Sequence, residues 1–141
     1  MTRLMCAMVA VSVAAVPLSL PPALRAHVKD ERFQIVTSIR GLPLGVRDRL
    51  QELFGGALDI ADPDAALKTR RLIAAGCSMD HCLVYYERAG TTSSRRVALF
   101  HWTPAATRFE WGGMAPSGLK SIEDVRTAVL SGAIDGPASV W

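Results

Sequence analysis

An α+β fold, a four-stranded antiparallel meander flanked by an N-terminal and a C-terminal helix, is predicted by three observations. Four apolar, β-prone segments at 70–77, 82–88, 95–102 and 107–111 are separated by connectors of hairpin length. Before them, Val46, Leu50, Leu53 and Phe54 fall at i, i+4, i+7 and i+8, one face of a helix. After them, Ser121 opens a second helical pattern.

Taken in order, residues 1–26 read as an export signal. Arg3 is the basic head, 4–16 the apolar core, and Pro17, Pro21, Pro22 and Ala26 belong to a region of breakers and small residues where a peptidase acts. The apolar run is shorter than the roughly 20 residues a spanning helix needs, so removal is expected and no stable membrane span after it. Leu24-Arg25-Ala26 and Val13-Ala14-Ala15 both fit the cleavage pattern, and the first is preferred, leaving 27–141 as a single small domain. Cys6 precedes the apolar core, which argues against a lipoprotein signal. Losing Arg3 and Arg25 leaves 14 Lys and Arg against 13 Asp and Glu. That near balance gives no basic stripe for nucleic acid.

The remainder reads as a polar lead-in at 27–32, a short strand within 33–39, and the helix ended by Gly55-Gly56. Residues 57–68 hold Asp62-Pro63-Asp64 and no sustained period, which reads as a loop. After the meander, Ser121-Ile122-Glu123-Asp124 resembles a capping box with Asp in the place of Glu. Ile122, Val125 and Val129 form the apolar face, and Gly132 stands at the C-terminal cap.

Cys77 and Cys82 are the even pair left in an oxidising compartment and read as one disulfide. Closing so short a loop is worth about 2 kcal/mol in the chain-entropy account, so the bond pins a register more than it holds a fold. Pairing Cys77 with Cys82, Arg88 with Arg95 and Trp102 with Thr107 sets Phe100 opposite Phe109, Glu87 opposite Arg96 and His101 opposite Cys82. One face then holds Leu72, Leu83, Tyr85, Ala98 and Phe100. The other holds Val84, Tyr86, Val97 and Leu99, an apolar patch of the kind that marks a partner site unless the segment 33–68 folds over it.

No nucleophile elbow, zinc-protease helix, phosphate loop or dinucleotide fingerprint occurs, and no cofactor is implied. Ser117-Gly118 resembles the Ser-Gly loop of periplasmic lysozyme inhibitors of the eight-stranded barrel type over those two residues. The resemblance implies a protein-binding function, and the capped helix at Ser121 departs from it where that family continues as a strand. The functional expectation is a noncatalytic binding or envelope-associated protein, periplasmic or secreted, with one structural disulfide and an unknown protein or small ligand as partner. The alternative is a metal-handling or redox protein in which Cys77, Cys82 and His101 converge beside Met79, Asp80 and His81, their thiolate, imidazole and thioether groups being soft ligands suited to copper(I) or zinc.

Overall fold

The computed structural model describes residues 20–136 and 141. Most of the predicted leader lies outside them. Three α-helices and five strands follow in the order α1 Pro22–Asp30, β1 Gln34–Val36, α2 Leu44–Leu53, β2 Arg70–Cys77, β3 His81–Arg88, β4 Ser94–Trp102, β5 Thr107–Ala115 and α3 Ile122–Ser131, with a short 3₁₀ turn at Ile39–Gly41. All neighbouring strands are antiparallel, and the sheet runs β1-β2-β3-β4-β5. The expected meander and both expected helices are present, and 57–68 forms neither helix nor strand, with only an isolated bridge from Ala61 to Arg71.

Two elements exceed the expectation. The strand sought within 33–39 is three residues long and joins the sheet as a fifth strand, Gln34 opposite Cys77 and Val36 opposite Ala75. Three residues are too few for alternation to show in a sequence. Helix α1 covers ground assigned to the leader and the polar lead-in. Pro21 and Pro22 occupy its N-terminal cap and first position, where proline's missing N–H costs nothing. Arg126 of α3 closes its other end, donating from Nε to Val28 O at 3.0 Å and from Nη2 to Lys29 O at 2.9 Å. A guanidinium there satisfies carbonyls that the last helical turn leaves without partners.

The helices cover both faces of the sheet. Against one, α1 and α3 pack Val28, Ile122, Val125 and Val129 onto Leu83, Tyr85, Val97 and Leu99. Against the other, Leu42 with Val46 and Leu50 of α2 packs on Leu72, Val84, Tyr86, Ala98 and Phe100, with Leu58 and Ile60 of the following loop at its margin. Full burial of one such aliphatic side chain is worth about 1.5–3 kcal/mol, so each layer contributes substantially to folding. Segment 33–68 thus does cover the sheet.

Register changes decide which residues share a layer. Cys77 faces Cys82, Trp102 faces Thr107, and Phe100 faces Phe109, as expected. At the β3–β4 turn the strand begins one residue early, so Arg88 faces Ser94 and Glu87 faces Arg95. That single slip exchanges every side chain of β4 between faces. Val97 and Leu99 therefore join Leu83 and Tyr85 under α1 and α3, while Val84 and Tyr86 lie under α2. All four are fully buried, and the proposed partner face Val84, Tyr86, Val97, Leu99 does not exist as one exposed surface. Glu87 pairs with Arg71 at 3.0 Å and Arg95 at 3.6 Å, replacing the expected Arg96.

Helix α3 carries the expected caps. Ser121 accepts from Asp124 N, Asp124 Oδ2 accepts from Ser121 N, and Gly132 adopts a left-handed φ of 80°. Lys120 N and Ser121 N hydrogen-bond the Asp124 carboxylate and hold its pKa below the ordinary value of 3.8. A depressed folded-state pKa contributes stability above the ordinary value that is lost as pH falls below 3.8 through the folded value. Acid unfolding of Asp124→Asn compared with the wild type should show a reduced pH dependence in that window. Close packing of α3 on β2 depends on Gly76, where a Cβ would stand 2.8 Å from Ile122 Cγ1 and 3.3 Å from Gln34 O. Gly76→Ala is expected to destabilise by about 1–3 kcal/mol in equilibrium denaturation, as overpacking does.

Candidate functional site

The three histidines of the sequence, His27, His81 and His101, meet at one end of the α1-covered face. His81 opens β3 and His101 lies opposite it on β4. Their rings stand edge to face at 5.1 Å between centroids, and His27 of α1 lies over His81 at 4.3 Å. The expected partner of His101, Cys82, instead faces Phe100. Leu24, Arg108 and Glu110 complete the wall of a cavity of about 470 Å³ around these rings.

Two carboxylates enter the cluster, one just beyond the end of α1 and one from the turn before β3. Glu31 follows α1 and is one helical turn beyond His27, a spacing that brings side chains to the same face. Its Oε2 is hydrogen-bonded to His27 Nδ1. Oε1 lies 3.1 Å from His81 Nδ1 and accepts from the Ser78 hydroxyl. Asp80 Oδ1 approaches the same His81 nitrogen at 3.0 Å. The Asp80 carboxyl is held below its ordinary range, first by hydrogen bonding with Glu31 and then by His81. One ligand atom from each of His27, Glu31, Asp80 and His81 lies within 4.8 Å of every other.

The turn that presents Asp80 and His81 is tied at several points. Ser78 Oγ accepts from His81 N at 3.0 Å, Ser78 N donates to His81 O at 2.7 Å, and Trp102 N donates to Asp80 O at 2.7 Å. Immediately outside it, Cys77 and Cys82 form the expected disulfide. Both sulfurs are thereby committed to each other, and neither is a thiolate available to a metal. Met79 points away as well, 93% exposed at the tip of the turn. The His81 side chain is only 2% exposed, whereas His27 and Asp80 are 45% and 44% exposed, so the cluster has a buried floor and an open rim.

Asp80, His81 and His101 were legible as neighbours from the turn and the strand pairing. His27 and Glu31 are not, because α1, which carries His27 and ends just before Glu31, falls in the stretch that reads as leader and lead-in. The remaining signal was the four-residue spacing of a histidine and a carboxylate. A second hollow of about 420 Å³ lies between α2 and the β4–β5 turn, bordered by Pro43, Leu44, Asp48, Trp102 and Thr107, and it brings no histidine to a carboxylate.

Tyr86, expected on the partner face, lies instead among arginines. Burial pushes its hydroxyl well above the ordinary value, against the opposing pull of Arg96, Arg70 and Arg88. The hydroxyl has no hydrogen-bond partner among the described residues. Arg70 stacks over Phe54 at 4.0 Å and donates to Trp141 O at 2.5 Å.

No family model, curated protein or solved structure matches the chain. A five-stranded open sheet followed by α3 also differs from the eight-stranded barrel that the Ser117-Gly118 resemblance implies. Among the described residues no helix is long and apolar enough to cross a membrane.

Because an unpartnered buried hydroxyl carries a desolvation cost, Tyr86→Phe is expected to be neutral or stabilising by up to about 1 kcal/mol. Urea denaturation measures this directly. A loss of more than that amount would mean that the hydroxyl is satisfied in solution.

Proposed function

We propose that the protein is an exported, noncatalytic metal-binding domain that takes a divalent transition-metal ion through His27, Glu31, Asp80 and His81. The observation that carries this reading is the mutual approach of four potential ligand atoms within 4.8 Å, contributed by a helix and by a separate strand turn. Two imidazoles and two carboxylates match the donor preferences of zinc(II), whose bonds to nitrogen and oxygen are about 2.0–2.2 Å long. On binding, the ion replaces the hydrogen bonds that now join Glu31 to His27 and His81, and Asp80 to His81. Any proton on a ligating nitrogen leaves, because the metal takes the same lone pair.

The disulfide has a structural role in this reading. It closes the base of the Ser78 turn, so Asp80 and His81 are delivered from a restrained strand end while α1 supplies His27 and the residue capping its C-terminus supplies Glu31. The open rim formed by His27 and Asp80 suits an ion that enters and leaves, in contrast to a closed structural site. Export, to the periplasm or the exterior, fits both the leader pattern and the oxidised cysteine pair.

Isothermal titration of the chelator-treated protein with zinc(II) tests the proposal. One ion per chain at micromolar affinity or tighter is expected, with Glu31→Gln and His81→Ala each weakening binding by at least roughly tenfold, since even outer partners of metal ligands are worth 10–100-fold. His101→Ala should retain binding. Absence of stoichiometric binding by the wild type, or equal affinity in the Glu31 and His81 variants, would overturn the reading and leave the four side chains as a hydrogen-bonded clasp between α1 and the sheet.

A further inference from the structure

Leu20, Leu24 and Val28 recur at i, i+4 and i+8, and the structure turns all three toward one core. Val28 is fully buried, Leu20 is 8% exposed, and Leu24 packs against the same cluster. Between them Arg25 Nη1 donates to Leu130 O at 2.7 Å, tying the middle of α1 to α3. This apolar stripe runs without interruption across Ala26, the preferred cleavage position in the sequence reading.

A cut after Ala26 would leave only 27–30 of the nine-residue helix and remove Leu20, Leu24 and Arg25 from their contacts. Four residues do not sustain an α-helix, because nucleation fixes several dihedrals before hydrogen bonds repay them. The side chains of α3 beneath would then face water, and the scaffold that holds His27 and Glu31 one turn apart would be lost. A leader's cleavage region has no requirement for a helical apolar stripe or for a guanidinium bonded to a distant carbonyl. Residues 20–26 carry both.

We infer that the export leader is removed by cleavage between Ala15 and Val16, so that α1 belongs entirely to the mature domain. Val13-Ala14-Ala15 places one tolerated and one small residue at the two recognition positions, and the apolar stretch before it, residues 4–12, falls within the 7–15 residues typical of a leader. The reaction is hydrolysis of one peptide bond by the exporting cell's signal peptidase, with water supplying the new carboxylate and amine. This inference rests on the export reading and is independent of metal binding.

The full-length gene product, expressed with its own leader in an exporting bacterial host and recovered from the periplasmic fraction, gives the test by intact mass and N-terminal sequencing. A mature chain beginning at Val16 is expected. Ala15→Leu should accumulate the precursor, whereas Ala26→Leu should be processed like the wild type. Leu24→Asp should lower the melting temperature of the exported protein by roughly 5 °C or more, because the residue remains in the folded chain. A mature terminus at His27 or at any residue other than Val16, a retained leader, or a block caused by Ala26→Leu overturns the assignment. Zinc titration of the same material reads the metal proposal separately, so failure of one is not mistaken for failure of the other.

Discussion

Burial of β3 on both faces is the constraint around which the molecule is arranged. From His81 to Glu87 every residue of this strand is buried, and only Arg88 reaches the partly exposed rim. A strand in that position cannot alternate between core and water, so its apolar residues require a cover on each side. Helices α1 and α3 supply one cover, and α2 with the loop after it supplies the other. The neighbours β2 and β4 then satisfy its backbone groups, as burial demands. The polar ends of the strand follow from the same constraint: Glu87 is held by two arginines, and His81 by two carboxylates.

This arrangement makes the histidine cluster a boundary feature. His81 lies where the buried strand reaches the end of its helical cover, so its side chain is enclosed while the groups above it remain accessible. Glu31 bridges the transition by pairing with His81 below and His27 above, and Ser78 fixes the carboxylate from the side. The disulfide lies on the neighbouring turn positions and restrains the same strand end.

How much of this was legible in the sequence depends on the range over which each signal acts. The caps of α3 and the cysteine pairing are encoded within a few residues, and Ser121, Asp124, Gly132, Cys77 and Cys82 all occupy the predicted positions. The sheet faces depended on loop length instead. A start of β4 at Ser94 in place of Arg95 was enough to divide Val84 and Tyr86 from Val97 and Leu99. Bulges between Leu72 and Ala74, and opposite the Leu99–Phe100 step, shift the registers further, and neither contains a glycine that would have marked it. The uninterrupted apolar run of Leu83, Val84, Tyr85 and Tyr86 has the pattern of a strand covered on both sides, a signal that the face-by-face reading, which offered Val84 and Tyr86 as a partner surface, does not use. For the candidate site, the turn residues were visible locally, whereas His27 and Glu31 reach it only through the docking of α1. Residues 22–26 belong both to the leader pattern and to α1, and there Leu24 packs against the core while Arg25 donates to Leu130 O.

The two margins of the sheet also govern how copies of the protein behave toward one another. At one margin β1 offers only three residues, too short a template for another chain to extend. At the other, the outer side of β5 is already occupied near Met114 by a reciprocal pair of backbone hydrogen bonds with Asp135. The continuous apolar strand that would invite amyloid-like stacking is kept at the centre, two strands from either margin. The native fold therefore confines its most aggregation-prone sequence to the place least accessible to a second molecule, and that protection lasts only while the margins remain closed.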